Sequence, residues 1–488
     1  MVSGVARGLS VSDSTLTGKI DPESALAHLT WSFTFKNVSD LDREARAQIL
    51  LPPGGVVDSA RIIFNGKERK AVVTGRGRAR EIYRSNVKAK RDPLLVSQSG
   101  TDQVLVQCYP IGHDSKVQVI LDILAPLYVR AKDRQGMLFY PAFAERNFQF
   151  DTAVKMHIDT DFWYDEKTRE GHGAGAVQAL LDPAVLSRFP VPIDVARNST
   201  VTGVTVEIPG QAQPLVAPVV RASSLPQPLK LAIVVDGSGA MSQQMERIST
   251  ALSTLPEGLP VSVAFVGDTT KELTPSGTRV GSDAFKKALE QLKKMPCAGG
   301  QIDYPAIIDE LQHLPLVVNG KLPDQGILWI HAAQPVHDDL SLLHNALSYR
   351  KLRIYDLQIA AGPDELMGSL ENENAVVRVP KFVNMDDSIA WINERWDAVP
   401  FSGKMVDITQ QKEASRWVQE YLAKTEIDQM LAQHNWSIDN QAATYAIKYG
   451  MITPVTSAVV SDPDLMPEMK EEEKPKRAGH LGFGLFRG

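Results

Sequence analysis

The first 130 residues are dominated by an alternation of apolar and polar positions that predicts β-strands. In residues 29–36, Leu, Trp, Phe and Phe alternate with Thr, Ser, Thr and Lys, which is the period of a half-buried strand. Pro52-Pro-Gly-Gly and Asn65-Gly mark turns between such segments. One helix is predicted at residues 78–88, where apolar residues recur at helical spacing. Residues 1–130 are therefore predicted to form an antiparallel β-sandwich.

Weaker strand patterns continue to about residue 225, where a proline-rich stretch marks a boundary. Residues 131–225 hold short apolar segments separated by turns such as Pro209-Gly, and we expect them to form an additional, connecting β layer. Residues 212–228 contain four prolines, so they are the best candidate for a linker.

The pattern changes at Leu229, where a nearly continuous apolar run begins. Such a run is typical of a parallel strand that is buried on both faces. Further strand patterns at 261–266, 327–331 and 352–359 alternate with helical patterns at 241–255, 283–294, 304–311, 340–349 and 388–396. This alternation predicts a doubly wound, Rossmann-like α/β domain over residues 229–400.

The C-terminal part returns to a mixed pattern. A long amphipathic helix is predicted at residues 411–434, and strands are predicted at 406–409 and within 442–460. We expect residues 401–465 to pack back on the β layer. Residues 466–488 are polar and carry the run Lys470-Glu-Glu-Glu-Lys-Pro-Lys-Arg, so we expect a disordered tail.

Several segments of the N-terminal region resemble one domain family. Phe35-Lys-Asn-Val-Ser, Leu50-Leu-Pro-Pro-Gly, Ala79-Arg-Glu-Ile-Tyr, Arg91-Asp-Pro-Leu-Leu and Tyr109-Pro-Ile resemble the VIT domain of vault-associated proteins and inter-alpha-trypsin inhibitor heavy chains, in a form close to bacterial versions. Residues 449–460 resemble a stretch that follows the A domain in VIT proteins. The resemblance implies that the segments flanking the A domain come together, so that residues 128–225 pair with residues after about 401.

The loop Asp236-Gly-Ser-Gly-Ala-Met follows a predicted strand and resembles the start of a von Willebrand A domain. In that family, Asp-x-Ser-x-Ser opens a metal-ion-dependent adhesion site. Mg²⁺ prefers oxygen ligands in octahedral geometry, and ligands of doubly wound sheets bind at the carboxyl ends of strands. Asp236 and Ser238 match the first two positions, whereas Ala240 stands where the second serine would be.

The other metal-binding positions of the family have also changed in this chain. The loop that reads Gly-Gly-Thr in the family reads Gly-Gly-Gln301 here, although Asp303 lies nearby. The segment that reads Thr-Asp-Gly in the family reads His331-Ala332-Ala here, so the second carboxylate is missing. We therefore expect Mg²⁺ to bind weakly or not at all, with Gln301 and His331 as candidate contacts to a partner.

These features favour a non-catalytic scaffold protein that binds protein partners without metal and needs no cofactor. Two alternatives stay open. One is a Mg²⁺-dependent adhesion protein that uses Asp236 and Ser238, and the other is a structural subunit that self-associates through its β-rich flanks. The sequence shows no activated nucleophile or acid–base pair, so an enzyme is not expected.

Charge and composition narrow the classes of partner. A net charge of −6 and a pI of about 6.0 disfavour nucleic acid and acidic membranes. We expect no membrane insertion and a cytoplasmic location, because no apolar stretch is long enough to span a bilayer or act as a signal peptide. Cys108 and Cys297 form no disulfide framework. The basic run from Arg76 to Arg91 is interpreted as a solvated helix face, with contact to an acidic partner as the alternative.

Overall fold

The computed structural model describes residues 4–460, except for 89–93, 101, 130–135, 161–162, 166–169, 173–174, 187–191, 196–199, 208–213, 219–224, 299–302, 315–317, 319–322, 335–338, 350–351, 361–365, 367–375, 381, 383–384, 397–402 and 432–434. The predicted tail, 466–488, and Gln301 thus lie outside the described residues. None of the helices in the described part is both long and apolar enough to cross a membrane.

The N-terminal strands form two sheets that face each other. They are β1 (Leu9–Asp21), β2 (Leu26–Asn37), β3 (Arg43–Leu50), β4 (Val56–Phe64), β5 (Lys67–Lys70), β6 (Val72–Gly75), β7 (Leu94–Gly100), β8 (Gln103–Ile111) and β9 (Lys116–Pro126), with helix α1 (Arg76–Lys88) between β6 and β7. Large side chains from both sheets share one core, among them Trp31, Phe33, Ile49, Val106 and Phe143. The alternating apolar positions thus point into a sandwich core.

The next part of the chain extends this sandwich. It contains β10 (Tyr128–Val129), β11 (Gly136–Phe139), β12 (Ala142–Arg146), β13 (Gln149–Phe150), β14 (Val154–Thr160), β15 (Trp163–Asp165), β16 (Glu170–His172), β17 (Gly175–Leu181), α2 (Pro183–Leu186), β18 (Pro192–Val195), β19 (Val201–Val206) and β20 (Leu215–Pro218). The first sheet has the order β17-β14-β1-β2-β9-β4-β5, with β13 also beside β1, whereas β12 joins β3 in the second sheet. A separate sheet has the order β10-β11-β18-β15-β16.

Among the described residues of 1–130, neighbouring strands pair antiparallel, and the strands that follow add parallel pairs. Strand β1 pairs in parallel with both β13 and β14. The chain visits the second sheet at β12 before it returns to the first, so β13 and β14 arrive beside β1 in the same direction. A parallel neighbour needs such a crossover, which the alternation of apolar residues does not reveal.

The α/β part is a mainly parallel sheet with helices on both faces, which agrees with the predicted fold class. Its strands are β21 (Lys230–Asp236), β22 (Val261–Val266), β23 (Thr270–Glu272), β24 (Gln325–His331), β25 (Leu352–Gln358) and β26 (Val376–Arg378), and its helices are α3 (Met245–Leu252), α4 (Asp283–Leu292), α5 (Tyr304–His313), α6 (Ser341–Tyr349) and α7 (Met385–Trp396). The strand order is β23-β22-β21-β24-β25-β26, and β23 alone is antiparallel to its neighbour. Ile233 and Val234 of β21 enter different cores, one on each face of the sheet.

The C-terminal part returns to the β layers. It contains β27 (Lys404–Asp407), α8 (Lys412–Leu431), α9 (Trp436–Tyr449) and β28 (Thr456–Val459). Strand β27 pairs in parallel with β19, and β28 lies between β7 and β6 in the second sheet of the sandwich. Strands from before and after the α/β part therefore lie side by side.

Residues 442–460 contain the strand β28, but their first part belongs to α9, a helix that the sequence patterns did not predict. The Asn435 side chain accepts a hydrogen bond from the Ser437 amide and caps the helix start. Gly450, with φ of 72°, ends the helix in a left-handed conformation that suits glycine. Ala442 and Ala446 lie one turn apart and are fully buried, so the apolar period here is helical.

Candidate functional site

The loop after β21 places Asp236 at the carboxyl end of the central strands. Its position depends on Gly237, because a Cβ there would lie 2.3 Å from Cζ of Phe265 and 2.7 Å from the Val266 carbonyl oxygen. The Gly237 amide donates to that carbonyl at 2.8 Å, which fixes the loop against β22. A short 3-10 turn, Gly239–Met241, follows. Asp236 is fully buried beneath this turn.

The carboxylate of Asp236 is satisfied by protein donors. Oδ1 accepts the Ser238 amide at 2.6 Å, and Oδ2 accepts the Ser238 hydroxyl at 2.9 Å. Oδ2 also accepts the Ala332 amide at 2.9 Å. Three hydrogen bonds to a buried carboxylate stabilise its charge without a cation. Asp236 thus closes a local turn with Ser238, which is itself the residue before the 3-10 turn.

The other family positions do not supply metal ligands. Ala240 is exposed on the 3-10 turn and offers only a methyl group. Ala332, which stands where the family has aspartate, contributes its amide N–H instead of an oxygen. Asp303 is fully buried, and its Oδ2 accepts the Trp329 indole N–H at 2.7 Å. Among the described residues, no group of three or more His, Cys, Asp and Glu could hold a metal ion, and Ala240 and Ala332 offer Mg²⁺ no side-chain oxygen.

His331 lies beneath the site rather than on its surface. Its ring stacks on Trp329 with the centroids 3.5 Å apart. Nε2 lies 2.6 Å from Oδ1 of Asp356, and Nδ1 lies 2.6 Å from the carbonyl oxygen of Ala332. Because His331 is 0% exposed, the structure does not support the predicted direct contact between this side chain and a partner.

The His331–Asp356 pair is a buried ion pair. Burial opposes ionisation of Asp356, but the hydrogen bond from His331 and the charges of His331 and Arg378 outweigh it and lower the pKa of Asp356. Nε2 of His331 faces the Asp356 carboxylate, and Nδ1 faces the Ala332 carbonyl oxygen. The His331 ring thus links Asp356 to Ala332, whose amide binds Asp236.

This ion pair also reaches the boundary with the sandwich. A cavity of about 60 Å³ adjoins Asp356 and is lined by Leu51 and Asp102 of the sandwich and by Arg378 of β26. Nε of Arg378 lies 3.8 Å from Oδ2 of Asp356. Burial raises the pKa of Asp102. The charged groups therefore connect the Asp236 loop to the junction between the two domains.

Sequence reasoning missed Asp356 and Trp329. Asp356 stands within Leu352–Gln358, a strand in which most residues are buried. A carboxylate in the middle of a buried strand needs a charged or hydrogen-bonding partner, and that requirement was the available signal. Trp329 carried no comparable signal, because an aromatic residue in a buried strand is ordinary.

Comparisons with solved structures give only weak similarity. "von Willebrand factor type A from Catenulispora acidiphila" is 13% identical with a TM-score of 0.27, over 34% of this chain and 42% of that one. "Crystal structure of manganese-loaded Plasmodium vivax TRAP protein" is 19% identical with a TM-score of 0.24, over 36% of this chain and 75% of that one. "Structure of yeast LTA4 hydrolase in complex with Bestatin" is 9% identical with a TM-score of 0.23, over 41% and 30%. At these TM-scores, none of the three establishes a shared fold.

Comparison with curated proteins and with family models gives one match. No curated protein matches the chain. The sandwich, in contrast, contains the segments on which the VIT resemblance rests, and the family comparison agrees with it. Residues 15–123 match the family model "Vault protein inter-alpha-trypsin domain".

Proposed function

We propose that this protein is a non-catalytic interaction scaffold whose α/β domain is of von Willebrand A type and binds a protein partner without metal. The strand order and the Asp236-Gly-Ser loop at the carboxyl ends of the strands support the domain type. The resemblance to VIT and A-type proteins favours an interaction role over catalysis. The observation that carries the proposal is the Asp236 carboxylate, whose oxygens accept hydrogen bonds from Ser238 and Ala332.

We expect binding without metal because a metal ion would have to compete with protein hydrogen-bond donors for the Asp236 carboxylate. A Mg²⁺ ion would have to displace the Ala332 amide or the Ser238 hydroxyl, and Ala240 and Ala332 offer no side-chain oxygen in exchange. The lost hydrogen bonds and the missing oxygens both disfavour a divalent cation.

Calorimetric titration of Mg²⁺ and Mn²⁺ into the full chain tests the proposal. We expect no saturable heat in the wild type and the same baseline in Asp236→Ala. A positive control is Ala240→Ser combined with Gln301→Thr and Ala332→Asp, which returns the oxygens that the family uses and should bind Mn²⁺ if it folds. Saturable heat in the wild type that Asp236→Ala abolishes would instead support the Mg²⁺-dependent adhesion protein.

The binding face can be tested separately from the metal. Once a partner has been identified by a pull-down in EDTA, Ala240→Arg on the exposed turn should weaken its binding at least about tenfold, because a bulky charge would enter the interface. The matched control is Ser253→Arg, which is exposed beyond the C-terminal end of α3. Equal binding by both variants would contradict the proposed face. If the measured mass of the purified protein is that of one defined oligomer, the self-associating subunit would be favoured instead.

A further inference from the structure

The basic helix α1 lies on the second sheet of the sandwich and has one buried face. Ala79, Tyr83 and Asn86 are its buried residues, and the helix packs against β28 and β7. The Tyr83 hydroxyl donates to Oε1 of Glu44 at 2.9 Å. The orientation of α1 on the sandwich is therefore fixed.

The exposed part of α1 carries several cations and one acid, Glu81. We define the basic stripe as Arg80, Arg84 and Lys88, which are spaced by four residues, and Arg78 is exposed nearby. Over eight residues the stripe is about 12 Å long. None of these side chains forms an ion pair with another described residue. Like charges four residues apart repel each other, so an acidic counterpart would stabilise the stripe.

The end of the described chain lies against the same helix. Val460 donates its amide to the carbonyl oxygen of Leu94 at 2.9 Å, and its own carbonyl accepts the Asn86 side-chain amide at 3.2 Å. Asn86 is two residues before Lys88 at the end of α1. The next segment of the chain therefore starts beside the basic stripe.

That next segment has the complementary charge. Residues 461–473, which lie outside the described residues, contain six acids and one lysine. The acids are Asp462, Asp464, Glu468, Glu471, Glu472 and Glu473. Thirteen residues can reach about 40 Å when extended, which exceeds the length of the stripe several-fold.

We propose that residues 461–473 bind the basic stripe of α1 within the same molecule. Each exposed ion pair is weak, but attachment at Val460 gives the segment an effective concentration in the millimolar range. The bound segment prevents other acidic surfaces from binding the basic stripe. A partner that binds there must first displace it.

The test uses a fluorescent peptide with the sequence of residues 461–473 and measures its anisotropy with full-length proteins. In the tail-neutral variant, the six acids become Asn or Gln and the stripe is open. We expect this variant to bind the peptide at least about tenfold more tightly than the wild type, whose own segment competes. Raising the salt concentration from 50 to 200 mM should weaken this binding, because the contacts are exposed charges.

Charge reversal identifies the surface. Arg80→Glu with Arg84→Glu and Lys88→Glu, made in the tail-neutral variant, should abolish peptide binding. The matched control is Lys286→Glu with Lys287→Glu and Lys294→Glu on and beside α4, where exposed lysines are also clustered, and it should bind normally. Equal binding by wild type and tail-neutral protein would overturn the proposal and show that the stripe is open to an external acidic partner. Binding that survives reversal of the stripe would overturn it as well.

Discussion

Nε2 of His331, at the end of β24, and Oδ1 of Asp356, within the neighbouring strand β25, lie 2.6 Å apart inside the α/β domain. Neither side chain is more than 1% exposed. Each charge of a buried ion pair would be costly to bury alone, so each residue stabilises the buried position of the other.

His331→Ala should therefore lower the free energy of unfolding by about 3–5 kcal/mol, since it leaves the Asp356 carboxylate buried without its main partner. Urea unfolding of the full chain measures this change. His157→Ala is the matched control, because its ion pair with Asp159 has side chains that are 50% and 60% exposed. The control should change stability by about 1 kcal/mol or less. Similar effects of both substitutions would contradict the buried pair.

Glu420 of α8 should make the packing of that helix on the sandwich sensitive to pH. Burial and, second, the negative charge of Asp58 raise the pKa of Glu420 to about 7. An unfolded glutamate has a pKa of about 4.3, so between these values the folded protein binds more protons, and its stability falls as the pH rises. Glu420→Gln should reduce this loss of stability, measured as the change in the urea midpoint between pH 5 and pH 8.

The control for Glu420 lies on the same helix. A hydrogen bond from Lys19 lowers the pKa of Glu413, so its titration lies below this pH range. Glu413→Gln should leave the slope between pH 5 and 8 unchanged. If both variants keep the wild-type slope, Glu420 does not carry the pH dependence.

Gly237→Ala should destabilise the α/β domain by about 1–3 kcal/mol, because the added methyl group would overlap the Phe265 ring and the Val266 carbonyl. Gly77→Ala is the matched control. A Cβ at Gly77 meets nothing within 4 Å, and alanine favours the helix α1 in which it stands. Denaturation midpoints should therefore fall for the first variant and stay equal or rise for the second.

Asn435→Ala tests the helix that sequence patterns missed. Loss of the cap to the Ser437 amide should cost about 0.5–2 kcal/mol. Asn440→Ala, at an exposed position inside α9, should instead be neutral or slightly stabilising because alanine is the better helix former. Circular dichroism during urea unfolding compares the two. If residues 442–449 formed a strand instead, the two substitutions would change the free energy of unfolding by similar amounts.

The parts of the fold that follow from short-range patterns could be predicted, and the parts that depend on chain path could not. The run that begins at Leu229 and its alternation with helical segments predict a parallel sheet directly. The parallel pairing of β1 with β14 depends on a crossover through the second sheet. Helix α9 was missed because the small residues Ala442 and Ala446 carry the helical period, and residues such as Thr444 and Tyr445 between them suit strands.

The same distinction applies to the candidate site. Asp236 and Ser238 could be located because they stand in one contiguous loop at the end of a predicted strand. The pairing of His331 with Asp356 depends on the register between β24 and β25, whose paired residues are far apart in sequence. The role of Ala332 as an amide donor depends on backbone direction, which residue identity does not encode.

The parallel pairing of β19 with β27 has a mechanical consequence. Because the chain leaves the β layer after Pro218 of β20 and returns beside β19 at Lys404, the α/β domain is an insertion attached at both ends. A domain connected by a single linker can rotate freely about that linker. A domain whose two connections are held side by side in one sheet can only tilt about the line that joins them. A single cut in the intervening chain would also leave both fragments held by the sheet.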